Sequence, residues 1–354
     1  MKGLILSGGK GTRLRPITHT SAKQLIPIAN KPVLFYAVEA VVAAGIEEIG
    51  IIVGDTAREV RSAVGDGSTF GARVTYIQQE APLGLAHAVN TARDFVGDDR
   101  FVVFLGDNLI RDGITTLVDE FRELQPDAMI LLARVPEPQR FGVAELENGR
   151  IVRLVEKPPV PPSDLALVGV YLFSPIVFDA ISRISPSPRG EQEITDAIQR
   201  LIDDGATVVP HLVSGWWKDT GRLEDLLEAN RIILDGLERQ VDGLADATVR
   251  IEGKVVIEEG AELGDCVVRG PAIIGRNAVI EDAYIGPFTS IGPRCDIRHA
   301  EIEHSIVLSD SRIHSVHGKI ESSLLGKECE VYGVARRPRA LKLMLSDHSR
   351  LELP

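Results

Sequence analysis

Residues 4–13 read Leu-Ile-Leu-Ser-Gly-Gly-Lys-Gly-Thr-Arg, and this stretch decides the fold that we expect for the first part of the chain. A short apolar strand runs into a loop that contains Gly8, Gly9 and Gly11 and ends on Arg13. Glycine lets the backbone turn tightly with its N–H groups pointing inward, which is how proteins hold phosphate oxygens. The planar arginine head can grip a phosphate through two parallel hydrogen bonds. The loop therefore predicts a site for a nucleoside triphosphate or a sugar phosphate.

The loop differs from two common nucleotide-binding motifs. A P-loop has its lysine after the last glycine, whereas Lys10 precedes Gly11 here. The dinucleotide fingerprint needs a glycine at the position that Leu14 occupies. A turn formed for purely steric reasons is the alternative interpretation of these glycines. The phosphate site is favoured because the loop continues into Lys23-Gln24-Leu25 and Pro27.

Size, charge and cysteine content exclude several classes of protein. A chain of 354 residues is long enough for roughly two domains with substantial cores. The net charge of −12 argues against general nucleic-acid binding, which relies on a basic face. The apolar runs are shorter than the ~18 residues that a membrane helix needs, and the chain enters a strand at once, so we expect neither membrane span nor signal peptide. Widely spaced Cys266, Cys295 and Cys329 favour free thiols in a reducing cytoplasm.

Residues 1–240 alternate between strand-like and helix-like segments. Apolar runs at 49–53, 101–105 and 129–133 suit buried strands, and amphipathic stretches at 33–44, 57–64, 85–95 and 115–124 suit helices between them. Further helices are expected at 193–204 and 223–239. The proline-rich region 136–188, with short strands at 142–146 and 167–173, is expected to form the walls of the ligand cleft. The alternation predicts an α/β domain with a doubly wound, mostly parallel sheet.

Residues 241–354 have a different period. Aliphatic residues recur every six positions at Val279, Ile285, Ile291 and Ile297, and the hexads that start at 274, 285 and 291 share an aliphatic-glycine pair. Three hexads per triangular coil predict a parallel, left-handed β-helix with one inward aliphatic at each flat face. Isoleucines in ordinary strands are the alternative. The tail at 334–353 is expected to cap the last coil. Stacked coils leave an apolar end and flat faces exposed, which another copy of the chain can cover, so we expect a homo-oligomer.

Two carboxylates follow apolar segments of the first domain. The strand at 101–105 leads through Gly106 into Asp107, and Asp219 lies in Trp216-Trp217-Lys218-Asp219. Open α/β sheets bind ligands at the carboxyl ends of their strands. Two carboxylates brought together there would suit Mg²⁺, which prefers oxygen ligands and shares substrate phosphates.

The sequence contains no arrangement typical of nucleophilic catalysis. No Ser-His-Asp or Cys-His pattern stands out. A phosphoryl-type transfer needs neither, because a sugar phosphate is already an ionised nucleophile near neutral pH. The protein then has to neutralise charge and align the reacting atoms. Arg13, Lys23 and a magnesium ion would serve that purpose.

Eight short motifs follow one another along the chain: Gly8-Gly9-Lys10-Gly11-Thr12-Arg13-Leu14, Lys23-Gln24-Leu25-x-Pro27, Lys31-Pro32, Gly84-Leu85-Ala86, Leu105-Gly106-Asp107-Asn108, Glu156-Lys157-Pro158, Glu193-Ile194-Thr195-Asp196 and Asp219-Thr220-Gly221. Together they resemble those of the sugar-nucleotide pyrophosphorylases, and more closely the glucose-1-phosphate thymidylyltransferases. The likeness runs through the first ~235 residues in the expected order, and the hexad region resembles the long form of the family, whose members often feed deoxysugar pathways.

The resemblance implies a role for each matching position. Catalytic roles fall to Arg13, Lys23 and Asp107. Nucleotide contacts are implied for Leu6, Gly8, Gly9, Gly11, Thr12, Arg13, Gln79, Gly84 and Asp107. Contacts with the hexose or its phosphate are implied for Leu85, Asn108, Gly142, Glu156, Lys157, Val168 and Arg189. Asp107 and Asp219 would bind Mg²⁺. One departure is Phe141, where many shorter relatives have tyrosine, and a hydrogen bond from that hydroxyl would be absent.

The resemblance implies that dTTP and glucose 1-phosphate are joined to give dTDP-glucose and pyrophosphate, by in-line attack at the α-phosphorus. UTP, or another hexose or amino-sugar phosphate, is the first alternative, since thymine and uracil differ by one methyl group, worth ~1–3 kcal/mol of discrimination. A second alternative adds acyl transfer by the β-helix, with His299, His304, His314 and His317 as candidates. A third is a non-catalytic regulatory subunit, which the presence of Arg13, Lys23, Asp107 and Asp219 disfavours.

Overall fold

The fold is taken from a computed structural model of the chain, which describes residues 1–9, 11–19 and 21–333. Lys10 of the glycine-rich motif and the tail at 334–353 that was expected to cap the last coil lie outside the described residues.

The chain up to residue 235 alternates strands and helices as predicted. The strands are β1 (Lys2–Ser7), β2 (Pro27–Ile28), β3 (Lys31–Pro32), β4 (Glu48–Val53), β5 (Arg73–Gln78), β6 (Phe101–Leu105), β7 (Asn108–Ile110), β8 (Ala128–Arg134), β9 (Gly142–Glu147), β10 (Arg150–Glu156), β11 (Leu165–Phe173), β12 (Val208–Leu212) and β13 (Trp217–Asp219). The helices are α1 (Val33–Ala43), α2 (Ala57–Val64), α3 (Leu85–Thr91), α4 (Arg93–Val96), α5 (Thr115–Leu124), α6 (Val177–Ser182), α7 (Ile194–Asp203) and α8 (Leu223–Asp235).

A nine-stranded sheet forms the centre of the first domain. Its main path runs β10-β9-β11-β6-β1-β4-β5, and β8 joins β11 to β12. Strands β6, β1, β4 and β5 are parallel neighbours, whereas β11 is antiparallel to β6, β8 and β9. The predicted α/β class is therefore confirmed, and the antiparallel part comes from the irregular region that was expected to form cleft walls.

Helices cover both faces of this sheet. On β1, Leu4 and Leu6 belong to one hydrophobic cluster with residues of α3, α6 and α7, while Ile5 belongs to a second cluster with residues of α1, α2 and α5. Successive side chains of a strand point to opposite faces, so a strand that is buried on both sides reads as a continuous apolar run. This explains the uninterrupted Leu4-Ile5-Leu6 and the buried Phe101-Val102-Val103-Phe104.

Two predicted helices differ from the structure by more than one residue at an end or by a break. The segment expected at 85–95 is divided at Ala92 into α3 and α4. The helix expected at 223–239 ends with Asp235, immediately before Gly236, a residue with low helix propensity.

The chain from residue 240 winds into stacked parallel strands. These strands are β14 (Gln240–Val241), β15 (Leu244–Ala245), β16 (Arg250–Glu252), β17 (Val255–Ile257), β18 (Glu262–Gly264), β19 (Val267–Arg269), β20 (Ala272–Ile274), β21 (Val279–Ile285), β22 (Thr289–Ile291), β23 (Asp296–Glu303), β24 (Ile306–Val307), β25 (Arg312–His314), β26 (Lys319–Glu321), β27 (Leu324–Leu325) and β28 (Glu330–Tyr332).

The strand register identifies this region as a β-helix. Ile257 pairs with Ile274, which pairs with Ile291 one coil further on, and Ile280 pairs with Ile297 in the same way. All five side chains are fully buried. An aliphatic column therefore fills the interior of the coils as predicted, except that Ile280 and not the predicted Val279 takes the inward position. The left hand of the coil stays a prediction.

Contacts divide the chain into two compact units. Among the described residues, the first comprises 1–9, 21–25 and 33–219, and the second comprises 11–19, 26–32 and 220–333. Helix α8 belongs to the second unit because Leu234 packs with Ile273 of the β-helix and with Ala29. The predicted domain limits, 1–240 and 241–354, stay a prediction. Within the described ranges, no helix is both long enough and apolar enough to cross a membrane.

Candidate active site

Two carboxylates lie where strands of the first unit end. Strands β1 and β6 run parallel, and the Gly106 N–H that follows β6 donates to the Leu6 carbonyl at 3.0 Å. Asp107 is the next residue. Strand β13 pairs antiparallel with β7, and this pairing places Asp219 opposite Asn108, directly beside Asp107. The sheet thus brings together two carboxylates that are far apart in the sequence.

Lys23 links these two carboxylates. It begins a short 3-10 helix at Lys23–Leu25, its side chain is 7% exposed, and its ammonium group forms an ion pair with Asp107 Oδ2. Asp219 Oδ1 lies 3.7 Å from the same Nζ atom. Burial is the largest influence on the Asp107 carboxyl and opposes its ionisation, but the Lys23 charge and several hydrogen bonds outweigh it and lower the pKa.

The Asp107–Asp219 pair fits a magnesium ion in its chemistry. Oxygen atoms from both carboxylates already converge on one cationic group, the Lys23 ammonium. Mg²⁺ is commonly held by one or two carboxylates together with substrate phosphates. No group of three or more histidine, cysteine or acidic residues arranged to hold a metal occurs within residues 1–9, 11–19 and 21–333.

Asn108 connects this centre to two aromatic residues. Its Nδ2 donates to Asp107 Oδ1 at 3.0 Å, and its Oδ1 accepts from Trp217 Nε1 at 2.5 Å. The Trp217 ring packs edge-on against Phe141, with centroids 5.1 Å apart. Phe141 thus fills its position by ring packing.

Buried polar atoms without a partner surround the glycines that follow β1. Ser7 Oγ and Gln24 Oε1 are both buried and lack a hydrogen-bond partner, and a Cβ added to Gly9 would lie 3.7 Å from Gln24 Nε2. An unsatisfied buried polar atom costs free energy that a bound ligand can recover. These atoms leave unused hydrogen-bonding capacity beside Gly8 and Gly9.

The segment at Gly84 is fixed by a close backbone approach. Gly84 has a φ of 107°, and a side chain there would overlap the backbone of Gln192. The Gln192 N–H donates to the Leu83 carbonyl at 2.7 Å, and its carbonyl accepts from Ala86 N–H at 3.0 Å. Only glycine fits this position, which places Leu85 at the start of α3.

The residues expected to bind the sugar phosphate form a charged cluster. Glu156 Oε1 lies 3.1 Å from Lys157 Nζ and 3.4 Å from Arg189 Nη2, and Thr195 Oγ1 donates to Glu156 Oε2 at 3.3 Å. Arg189 also pairs with the buried Glu193 at 2.7 Å. Lys157 has a φ of 42°, a strained conformation of the kind that clusters at functional sites.

Two other predicted members flank this cluster. A Cβ on Gly142 would lie 3.1 Å from Glu156 Oε2 and 2.6 Å from a Thr195 methyl carbon, so glycine permits this approach. Val168 is fully buried within β11 and contributes to the hydrophobic core.

Three predicted nucleotide contacts belong to the second unit. Gly11 adopts a left-handed conformation and caps a 3-10 helix at Thr12–Leu14. Thr12 and Arg13 are exposed on this helix, and Thr18 Oγ1 donates to the Gly11 carbonyl at 2.7 Å. The Arg13 head is therefore presented on a short ordered turn.

Sequence reasoning did not select four residues that the structure places among these groups. They are Gln24, Glu193, Asp196 and Trp217. All four lie in motifs quoted above, but their burial and their contacts exist only in the folded structure. Burial, followed by the charges of Glu193 and Glu156, raises the pKa of Asp196. Such shifts are frequent at functional sites.

Lys23, Asp107 and Asp219 converge in the first unit, and comparison with known families defines the class of protein to which this site belongs. The Nucleotidyl transferase family model matches residues 2–236. The chain therefore belongs to the nucleotidyl transferase family.

Its full-length relatives have a more specific name. The chain is 53% identical over 354 residues to a glucose-1-phosphate thymidylyltransferase of Streptomyces griseus, covering 100% of this chain and 99% of that one. It is 54% identical over 355 residues to a protein of the same name from Streptomyces antibioticus, with the same coverage. A solved structure from Bacillus anthracis, described as a glucose-1-phosphate thymidylyltransferase in complex with sucrose, has a TM-score of 0.63 and 41% identity over 66% of this chain and 94% of its own. The predicted family resemblance is confirmed.

Proposed function

We propose that this chain joins dTTP and glucose 1-phosphate, forming dTDP-glucose and releasing pyrophosphate. The observation that carries the proposal is the convergence of Lys23, Asp107 and Asp219 at the strand ends, in a chain whose full-length relatives are named for this activity. The attacking oxygen belongs to the sugar phosphate and is already ionised, so the site has to orient the two substrates and balance their charge.

The charged residues divide this task. Lys23 would neutralise phosphate charge, and Arg13 would grip the triphosphate with its planar head. Asp107 and Asp219 would hold a magnesium ion, which supplies positive charge at the phosphates when bound. The lowered pKa of Asp107 keeps this carboxylate ionised at neutral pH, the form that both Lys23 and a cation require.

The remaining predicted residues would define the two substrate pockets. For the nucleotide these are Leu6, Gly8, Gly9, Gly11, Thr12, Gln79 and Gly84. For the hexose phosphate they are Leu85, Asn108, Gly142, Glu156, Lys157, Val168 and Arg189. Glu156 is suited to sugar hydroxyls, and its neighbours Lys157 and Arg189 are suited to phosphate.

The test is magnesium-dependent pyrophosphate release from a matrix of nucleoside triphosphates and sugar 1-phosphates. We expect turnover to be highest with dTTP and glucose 1-phosphate and to vanish when the metal is chelated. Comparable rates with UTP or with amino-sugar phosphates would support the proposed type of reaction and contradict the proposed substrates. If the folded protein released no pyrophosphate with any substrate pair, the result would contradict the proposal and favour a regulatory subunit.

The β-helix is expected to associate copies of the chain. Val241 and Leu244 of its first coil are 40% and 70% exposed, and strands β14 and β15 each pair with only one neighbour among the described strands. Exposed apolar groups beside open strand edges favour association. Light scattering should give a mass above that of one chain, and Leu244→Glu should lower it; a monomeric parent protein would contradict this expectation.

A reducing compartment such as the cytoplasm is the expected location. Cys266, Cys295 and Cys329 are all unpaired, and burial raises the pKa of the Cys266 and Cys295 thiols to about 11, which keeps both in the unreactive protonated form.

A further inference from the structure

The side-chain amide of Gln79 is held in one orientation. Gln79 is 9% exposed, it follows β5, and its backbone N–H donates to the Val53 carbonyl at 2.9 Å. Its Nε2 lies 3.3 Å from the Gly84 carbonyl oxygen and 3.0 Å from His87 Nδ1. The Gly84 carbonyl and the His87 ring therefore determine whether the oxygen or the nitrogen of the Gln79 amide faces the glycine-rich loop.

The chemistry of these neighbours fixes the direction of the amide. A carbonyl oxygen can only accept, so the end of Gln79 that faces Gly84 has to be the –NH₂ group. The Gly84 oxygen also accepts the Ala88 N–H at 3.1 Å, and the contact with Gln192 fixes this segment. The Gln79 oxygen consequently faces the other way, and a Cβ built on Gly8 would lie 3.1 Å from Oε1.

His87 completes this arrangement. The Gln79 –NH₂ group can only donate, so its 3.0 Å contact with His87 requires the ring nitrogen Nδ1 to accept. His87 lies in the first turn of α3, and its carbonyl accepts from Thr91 Oγ1 at 2.9 Å. Without the imidazole, one proton of the buried amide would lose its acceptor, and the amide would be free to rotate away from its single remaining partner.

We propose that His87 is a positioning residue that sets the nucleobase preference, because it holds Gln79 with its oxygen toward the nucleotide. The proposal rests on the proposed function, in which Gln79 contacts the base. Thymine and uracil present a ring N–H on their pairing edge, whereas cytosine presents a bare ring nitrogen there. An oxygen fixed toward this edge accepts from the first two bases and repels the third.

Equilibrium binding of dTTP and dCTP tests this role, using the full-length protein with magnesium and titration calorimetry. His87→Leu removes the acceptor at similar volume. His87→Asn keeps one, since the asparagine oxygen can occupy the place of Nδ1. Asn90→Leu, at an exposed position of the same helix, is the matched control.

We expect the parent protein to prefer dTTP over dCTP by about 100-fold or more, since a buried acceptor that meets another acceptor is strongly disfavoured. His87→Leu should reduce this ratio by about tenfold, the effect of one lost hydrogen bond. His87→Asn should keep the ratio within about threefold, and Asn90→Leu should leave it unchanged. A role in stability alone would lower the melting temperature of His87→Leu without moving the ratio.

The proposal is overturned if the parent protein binds both nucleotides equally, if His87→Leu keeps the full preference, or if His87→Asn loses it to the same extent as leucine. Pyrophosphate release from the parent protein is measured separately. Absent turnover together with intact base preference would reject the proposed function and leave the role of His87 standing. Turnover by the parent protein, together with an unchanged dTTP-to-dCTP affinity ratio in His87→Leu, would support the proposed function and reject the role of His87.

Discussion

The two units bury different kinds of side chain. Lys23 and Glu193, the buried charged residues of the described chain, both belong to the first unit. The buried side chains of the β-helix are instead uncharged and mostly aliphatic, such as Ile274 and Ile297. Its charged groups include ion pairs between successive coils on the surface, as in Arg294–Asp310.

We interpret this difference as a separation between the residues proposed to perform chemistry and the residues that stabilise the fold. A buried charge costs free energy unless it is paired, and replacement by apolar groups is frequently neutral or stabilising. Buried charges therefore need a reason other than stability, and in the first unit they surround the predicted substrate sites. The β-helix gains stability by repeating one apolar layer, with each coil supporting the next. Substitutions in the two regions should consequently affect different measured quantities.

Asp107→Asn should give the largest effect, and it should be on activity. The amide removes one of the two carboxylates proposed for magnesium and the charge that pairs with Lys23. We expect kcat to fall about 1,000-fold or more, as for other losses of electrostatic stabilisation of the transition state. The measurement is pyrophosphate release over a range of magnesium concentrations.

Circular dichroism and thermal melting of the same variant provide the control. The variant should be folded, because an amide fits the space of a carboxylate. The lowered pKa of Asp107 means that its ionised form favours the folded state above the unfolded pKa of about 3.9. This contribution is lost as the pH falls through the lower pKa that Asp107 has in the folded state. The difference in melting temperature between the parent and the variant should therefore be larger at pH 7 than at about pH 3. Near-normal turnover would contradict the metal assignment.

The fold could be predicted because its signals are local. The alternation of strands and helices up to residue 235 and the six-residue period after it both depend on neighbouring residues. Helices α2 (Ala57–Val64) and α5 (Thr115–Leu124) have the predicted limits, because their apolar faces and flanking turns are explicit in the sequence. The antiparallel insertion of β11 between β6 and β8 was not predicted, since strand order depends on pairing between distant segments.

The candidate site was predictable in its residue types and less so in its contacts. Asp107 and Asp219 were selected because each follows an apolar segment, but their meeting at Lys23 requires a pairing of β7 with β13 that no local pattern encodes. The unsatisfied Gln24 oxygen and the amide orientation of Gln79 depend on burial and on hydrogen-bond partners. These properties exist only after the chain has folded.

Asn230→Leu tests whether a buried polar group in the second unit serves stability rather than chemistry. The Asn230 Oδ1 accepts from Ala29 N–H at 2.9 Å and from Ser290 Oγ at 2.7 Å, and Nδ2 donates to the Phe288 carbonyl at 3.1 Å. Leucine would leave these three groups unsatisfied and lower the free energy of unfolding by about 4 kcal/mol. Urea denaturation provides the measurement.

The exposed Asn90→Leu is the matched control for this exchange and should change the stability by less than about 0.5 kcal/mol. The kcat of folded Asn230→Leu should remain within about threefold of the parent value. A large loss of kcat at unchanged stability would contradict the proposed difference between the two units, because a polar residue of the second unit would then act in the reaction.

Ile297→Ala should lower stability with little effect on chemistry. Ile297 is fully buried, with Ile280 and Ile313 above and below it in adjacent coils. Deletion of its side-chain carbons leaves a cavity and should cost about 3 kcal/mol in the free energy of unfolding. Urea denaturation measures the loss, and Glu301→Ala at an exposed position of the same strand is the control. Equal midpoints for the two variants would show that the aliphatic column does not stabilise the coils.

Arg294→Ala should have the smallest effect, although its geometry is favourable. Arg294 Nε and Nη2 lie 2.7 Å from the two oxygens of Asp310 in the next coil, yet the side chains are 58% and 36% exposed. Water screens such a pair, so we expect a loss of about 0.5 kcal/mol or less in the free energy of unfolding. A double-mutant cycle with Asp310→Ala isolates the pair, and its coupling should shrink further in about 0.5 M salt. A coupling as large as the effect of Ile297→Ala would mean that surface ion pairs, and not the aliphatic interior, hold successive coils together.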